Sequence, residues 1–385
     1  MTLLDNHSGL YAPLPSVHFT RFGKTQIQFL MDIYSSKLSP AVDYGVGAFL
    51  LLIAILSIVG NLLVLFMAYR RSSQMKPAEL LSVNLAITDL GAAVSMYPLA
   101  VASLWNHSWL GGDVTCIYYG WMGFFFGVAS VATLTVMAVV RFTASMTLHS
   151  HTEKISKRTV QVMLAGTWLY ALLWAVFPLI GWGAYGPEPF GLSCTLAWAE
   201  MKEHSPSFVI SMFAMNLAIP AIIIICCYFG ITYRLNFFYK SQENAKIIQN
   251  KVKMQRRLML VAVLISAGFI GCWTPYGIVS LWSIYSTSSI TPHVSMLPCL
   301  FAKTSTVYNP LIYYAFSKSF QQEVMQLLHA CIRSQACRGS QPSNLTENTV
   351  YMVCEGTTIK KDLHKEHFKS TETDANTQFI TVDYQ

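Results

Sequence analysis

Lys303 stands in the stretch HVSMLPCLFAKTSTVYNPLIYYAF, residues 293–316, which carries no other charge except on His293 when that residue is protonated. The stretch is long enough to cross a bilayer as a helix, and Lys303 falls near its middle. An ammonium at that depth costs on the order of 3 kcal/mol or more, so such residues are rare, functional and paired. A buried lysine also gives up its proton readily, and the neutral amine is the nucleophile that forms Schiff bases with carbonyl compounds. One position therefore implies an aldehyde ligand, a covalent bond and an anion nearby. The competing reading is a lysine that snorkels to the interface. Lys303 lies about ten residues, roughly 15 Å of helix, from either end of its segment, which is too far for that.

The elements that must hold this lysine are apolar helices. Of 385 residues, 53% are hydrophobic and 12% charged, against about 25% charged in soluble domains. Seven long apolar segments appear, at 45–69, 79–103, 115–140, 161–181, 207–233, 258–283 and 293–316. Each approaches or exceeds the ~20 residues that span a bilayer, and most lack the polar face of a soluble helix. The expected class is an all-α membrane protein: a seven-transmembrane helix bundle with a short amphipathic helix after the seventh segment. Residues 1–44 form an outer N-terminus, 45–316 the bundle, 317–331 the amphipathic membrane-surface helix, and 332–385 a disordered tail rich in Ser and Thr. The N-terminus MTLLDNHSGL lacks the apolar core of a cleaved signal, so the first span directs insertion.

Lysine and arginine give the orientation. They crowd the loops after segments 1, 3 and 5, whereas the loops after segments 2, 4 and 6 hold only Lys202. The N-terminus is then outside and the C-terminus cytoplasmic in a multi-pass cell-membrane protein. The net charge of +7 reflects this topology and favours anionic lipid at the inner rim, not nucleic acid. Of nine cysteines, only Cys116 and Cys194 fall on the oxidising outer side, which points to a disulfide between them. Cys226, Cys227, Cys272 and Cys299 read as packing residues. Cys331, just past the amphipathic stretch, suits palmitoylation, with a plain thiol as the alternative. Asn6 and Asn106 open outer glycosylation sequons. No metal-ligand spacing is evident.

Motifs inside the segments narrow the class. Asn61 is in the first, Leu85-Ala86-Ile87-Thr88-Asp89 in the second, and Arg141 ends the third. Trp168 is in the fourth, and Pro220 and Tyr228 are in the fifth. Cys272-Trp273-Thr274-Pro275-Tyr276 is in the sixth and Asn309-Pro310-Leu311-Ile312-Tyr313 in the seventh. Singly each is weak, since proline is common in membrane helices. In this order across seven spans, over about residues 45–330, they resemble the rhodopsin-like G-protein-coupled receptors. Lys303, six residues before Asn309, resembles the retinal-binding lysine of the opsins. GWMGFFFG (120–127), PEPFGLSCTLAW (187–198) and AKTSTVYNPLIYY (302–314) look most like the neuropsin branch of non-visual opsins.

The resemblance implies a set of roles. Retinal, 11-cis or all-trans, would form a Schiff base with Lys303, and Trp273, Tyr276 and Tyr119 would bind it. Visual opsins of vertebrates carry a glutamate counterion three residues after the cysteine of the third helix; here that position is Tyr119. Glu188, six residues before Cys194, matches the other opsin counterion position, on the loop that the disulfide tethers; the competing reading is a solvated loop acid. Asn61 and Asp89 belong to a polar network in the inner half. Arg141, Tyr228, Asn309, Pro310 and Tyr313 belong to activation and to coupling with a heterotrimeric G protein, of Gi/Go type by resemblance. Arrestin and a receptor kinase would act on the tail. The neuropsin pattern has a lysine tied to ultraviolet sensitivity just before the proline matching Pro98. This chain has Tyr97 there.

The inner end departs from the family pattern. The usual acidic residue before the arginine is Val140, and the acidic position of the sixth helix is Gln255. With neither resting partner for Arg141, the equilibrium shifts toward the active form, or coupling has decayed. Three functions compete. A light-activated G-protein-coupled receptor uses the motifs above and is no enzyme. An opsin-fold photoisomerase would keep Lys303 and Glu188 but need no intact inner face. A light-driven pump needs chains of ionisable residues along its path, and only Asp89 and Lys303 lie deep.

Overall fold

The computed structural model describes residues 33–146, 155–241, 246–285, 290–317, 320–329, 344–346, 349–354, 357–362 and 368–369. Asn6 and Cys331 lie outside these residues. The chain divides into two units, residues 1–316 and 317–385.

The first unit is a helical bundle. Its elements are α1 (Pro40–Arg70), α2 (Pro77–Trp105), α3 (Gly112–Met146) and α4 (Lys157–Val176), followed by the short α5 (Trp198–His204). A fifth span runs through α6 (Pro206–Phe213), a π-turn at Ala214–Ala218 and α7 (Ile219–Ser241). Then come α8 (Lys246–Tyr285), α9 (Pro292–Lys303) and α10 (Ser305–Phe316). Proline opens α1, α2, α6 and α9, where its missing N–H costs nothing. The Ser156 hydroxyl caps α4 by accepting from the Thr159 N–H at 3.1 Å. Large apolar side chains such as Val59, Ile225 and Phe229 are more than half exposed. A run of such residues around a bundle fits a bilayer and not water.

Six of the expected spans are unbroken stretches long and apolar enough to cross a membrane. They overrun the apolar windows read from sequence. The third continues past Arg141 to Met146, because Thr143 and Ser145 return their hydroxyls to Val139 and Phe142 carbonyls and Arg234 takes up the last carbonyls. The helix therefore does not end at Arg141.

The seventh span is not one helix. It breaks at Thr304 into α9 and α10, of 12 residues each. The Val307 N–H donates to the Thr304 carbonyl at 3.0 Å instead of reaching back to Lys303. The Lys303 carbonyl then accepts from the Tyr97 hydroxyl of α2 (2.9 Å) and the Thr306 hydroxyl (3.1 Å). Pro310, having no N–H, frees the Thr306 carbonyl four residues earlier. That carbonyl accepts from Asn61 Nδ2 of α1 at 3.0 Å. Neighbouring helices thus satisfy the two groups that the break and the proline release, as membrane burial demands.

Over the end of the bundle where α3 begins lies a hairpin of β1 (Tyr185–Pro187) and β2 (Cys194–Leu196), paired antiparallel with Pro187 opposite Cys194. A disulfide joins Cys194 to Cys116 at the start of α3. The hairpin sits so close that a Cβ at Gly120 would meet the Thr195 backbone at 3.2 Å. A strap formed by residues 33–38 crosses the same end. Its backbone bonds join Ser36 to His107, Lys37 to Phe190, and Trp109 to Tyr34. The Tyr34 hydroxyl donates to Asp113 at 2.6 Å, and burial, with that carboxylate second, pushes the phenol's titration up.

In the second unit, residues 320–329 are helical. Four short strands, β3 (Asn344–Thr346), β4 (Thr349–Cys354), β5 (Thr357–Asp362) and β6 (Phe368–Lys369), pair antiparallel in chain order. The run Thr349–Cys354, TVYMVC, is rich in the β-branched and aromatic types that favour strands.

Candidate functional site

Lys303 ends α9 and opens on a cavity of about 220 Å³ inside the bundle. Its Nζ donates to the Cys299 Sγ, one helical turn earlier, at 3.1 Å. It also lies 5.5 Å from the centre of the Tyr119 ring, within cation–π range. Among the described residues, no ion pair within 4 Å joins the amine to Glu188. Cys299, expected only to pack, is thus the group nearest the amine.

The cavity spreads from the seventh span across the sixth to the fifth. Lys303, Tyr119, Glu188, Trp273, Tyr276 and Asp89 all line it, joined by Phe124, Phe126 and Phe269. Trp273 stacks on Phe269 (centroids 5.7 Å apart), meets Tyr276 edge-on (6.0 Å) and donates from Nε1 to the Ser305 hydroxyl at 3.3 Å. Two lining residues carry buried polar atoms without a hydrogen bond of good geometry: the Tyr119 hydroxyl, which lies near Ser193 and Lys303, and both side-chain atoms of Asn216. Asn216 sits in the π-turn of the fifth span, and such turns gather at functional sites.

Glu188 closes the site from above. It follows β1 and is only 7% exposed, so it is no solvated loop acid. Its Oε1 accepts from the Tyr276 hydroxyl (2.8 Å) and its Oε2 from the Ser295 hydroxyl (3.1 Å). The Tyr276 oxygen also receives the Trp198 Nε1–H at 3.1 Å and lies 2.9 Å from the Thr195 hydroxyl. Burial raises the Glu188 titration above its ordinary value, while the two hydroxyls and the charge of Lys303 pull it back. A carboxylate held near a cavity amine can neutralise a cation there.

Below the cavity, Asp89 Oδ2 accepts from Asn309 Nδ2 at 2.7 Å, and Asn61 bonds the Ser57 carbonyl (2.9 Å) as well as that of Thr306. Trp168 Nε1 donates to Asn84 Oδ1 and Asn84 Nδ2 to the Thr133 hydroxyl, each at 2.8 Å. Both clusters link α2 to other spans. Arg141, Tyr228 and Tyr313 form a separate group at the end of the bundle opposite the hairpin. The Tyr228 hydroxyl lies 3.2 Å from that of Ser266, while Arg141 Nε is buried without a hydrogen-bond partner. Two other arginines fasten this end. Arg234 of α7 donates to the Ser145 and Met146 carbonyls at the end of α3. Arg257 of α8 donates twice to the Phe316 carbonyl at the end of α10, at 2.9 and 2.6 Å. Asn106 is exposed at the hairpin end, where its amide donates to the Ser108 hydroxyl. Among the described residues, no three His, Cys, Asp or Glu gather as a metal site.

Sequence reading placed Lys303, Glu188, Tyr119, Trp273 and Tyr276, which the fold brings to one cavity. It missed the contacts of Ser295, Trp198 and Tyr97 because each depends on a partner far along the chain, and it read Cys299, one turn from Lys303, as a packing residue. Only the residue types, a thiol one turn before the lysine and a tyrosine before Pro98, were visible beforehand.

Comparison with known proteins gives a consistent picture. Residues 60–313 match the family described as 7 transmembrane receptor (rhodopsin family). The chain is 33% identical over 371 residues to Opsin-5 of Homo sapiens, covering 94% of this chain and 99% of that protein. It is 30% identical over 283 residues to the visual pigment-like receptor peropsin of Homo sapiens, covering 73% of this chain and 83% of that one. The crystal structure of squid rhodopsin superposes with a TM-score of 0.70 at 28% identity, over 75% of this chain and 81% of that one.

Proposed function

The chain belongs to the rhodopsin family of seven-transmembrane receptors, and from that premise we propose that it is a light-sensing opsin which binds retinal through Lys303 and activates a heterotrimeric G protein. The observation that carries this reading is that one amine and one buried loop carboxylate line the same aromatic cavity. The buried Tyr119 hydroxyl adds a polar atom at the Lys303 end, where a linkage would lie. Retinal supplies the light absorption and the double bond that isomerises. Lys303 supplies the nucleophile, Glu188 the anion, and Trp273 and Tyr276 the wall that excludes water.

Arg141, Tyr228, Asn309, Pro310 and Tyr313 form the path to the G protein, for which a Gi/Go type is proposed. Arrestin and a receptor kinase would read the tail. The N-terminus, with Asn6 and Asn106 glycosylated, faces outside, and Cys331 anchors the inner side by palmitoylation.

The test is regeneration of the purified protein with 11-cis and with all-trans retinal, followed by light-dependent nucleotide exchange on G proteins and extraction of the isomers. Wild type is expected to form a pigment and to drive exchange in light. Lys303→Ala is expected to form none, since among the described residues no other lysine lines the cavity. Retinal retained by Lys303→Ala after acid denaturation would overturn the attachment. Isomerisation without exchange would make the protein a photoisomerase instead.

A further inference from the structure

We propose that Tyr97 is a positioning residue for Lys303: its hydroxyl holds the lysine's own carbonyl and thereby fixes the turn from which the amine enters the cavity. This rests on the reading of Lys303 as the attachment residue. The observations are geometric. In an unbroken helix the Val307 N–H would donate to the Lys303 carbonyl. Here it donates to Thr304, at 3.0 Å, and the Lys303 carbonyl faces α2. The Tyr97 hydroxyl meets it at 2.9 Å and also lies 3.2 Å from the Thr306 hydroxyl, which itself donates to the same carbonyl at 3.1 Å. Tyr97 is 2% exposed, so water does not compete for this bond.

A buried carbonyl must have a donor. If Tyr97 loses its hydroxyl, the Thr306 hydroxyl alone remains, and the simplest repair is the ordinary bond from Val307. That repair makes α9 and α10 continuous and rotates Lys303 about the helix axis, away from Cys299 and the Tyr119 ring. The break is therefore coupled to one phenol on another span. Pro98, next in sequence and inside α2, locally frees that helix from its own backbone pattern, which lets the tyrosine reach across.

The experiment uses full-length protein with lysine carbonyls labelled with carbon-13. Infrared spectra of the ligand-free wild type and of Tyr97→Phe are compared, together with their rates of pigment formation from 11-cis retinal. Tyr97→Phe keeps the ring and removes only the hydroxyl. The expected result is a labelled-carbonyl component displaced in Tyr97→Phe, no such displacement when both proteins also carry Lys303→Arg, and pigment formation slowed several-fold. The Lys303→Arg pair assigns the band, because the label is then absent from position 303 alone. A displaced band with an unchanged rate, or no displaced band, overturns the role of Tyr97. A wild type that forms no pigment with either isomer overturns instead the reading of Lys303 on which it rests.

Discussion

The Lys303 amine is 3.1 Å from a thiol, and Glu188 is engaged by two hydroxyls. A sulfur is a weak acceptor, so Cys299 holds the amine only weakly, while the carboxylate is held in place by its two hydroxyl partners. Replacing Glu188 with Gln keeps the shape and removes the charge. In a pigment that absorbs in the visible, Glu188→Gln should lower the titration of the Lys303 linkage, since an opposite charge favours the protonated form. Absorption at neutral pH then moves toward the ultraviolet and recovers in acid. Asp89→Asn, whose carboxylate is taken up by Asn309, should leave that titration nearly unchanged. In the ligand-free protein the sign is separate. The folded-state value of Glu188 lies above 4.5, so its proton is held more tightly folded than unfolded. The stability this adds is present below that pH and is lost as pH rises through the raised value. Melting curves of Glu188→Gln should lack this slope.

At the scale of elements, the seven apolar segments were legible because period and length alone identify spanning helices. The break at Thr304 was not. It depends on Tyr97 and Asn61 supplying donors from α2 and α1, and no local pattern announces a donor more than 200 residues away. The inner ends show the same limit. Sequence revealed that Val140 and Gln255 cannot restrain Arg141. It did not reveal that Arg234 and Arg257 clasp the ends of α3 and α10, where an arginine also complements the helix dipole. Two opposite changes follow. Val140→Asp should lower dark nucleotide exchange by giving Arg141 a resting partner. Arg257→Ala should raise it, each by a factor of a few, as expected for a hydrogen bond of about 1 kcal/mol. Equal dark rates in all three proteins, at matched expression and retinal loading, would show that neither group restrains the resting state.

For the molecule as a whole, the outer mouth is closed in two layers. The disulfide pins the hairpin that carries Glu188, and the strap at 33–38 is bonded over it. The cysteine pair was expected from sequence, whereas the strap was not, because its backbone bonds and the Tyr34–Asp113 contact join residues far apart in the chain. Gly191, at φ 82°, lets the chain turn beneath the strap. The 78-residue separation of Cys116 and Cys194 makes the crosslink a substantial constraint on the unfolded chain. Cys194→Ser should cost about 2–4 kcal/mol. It should also let hydroxylamine reach Lys303 faster, measured as loss of visible absorption in the dark. A variant as stable and as slow to bleach as wild type would mean that the strap alone keeps the mouth shut.

The two carbonyls handed over by the seventh span bear on biosynthesis. That span leaves the ribosome after the other six, yet its backbone is complete only against α1 and α2, and it carries a lysine at mid-depth. Released alone into lipid it would expose the Thr306 carbonyl that Pro310 leaves unbonded, and an amine, each costly there. Membrane insertion of the last segment is therefore conditional on the first two being within reach. Residues 290–317 fused to a reporter should enter microsomal membranes poorly by themselves. They should enter well when α1 and α2 precede them, and Asn61→Ala with Tyr97→Phe should erase much of that gain.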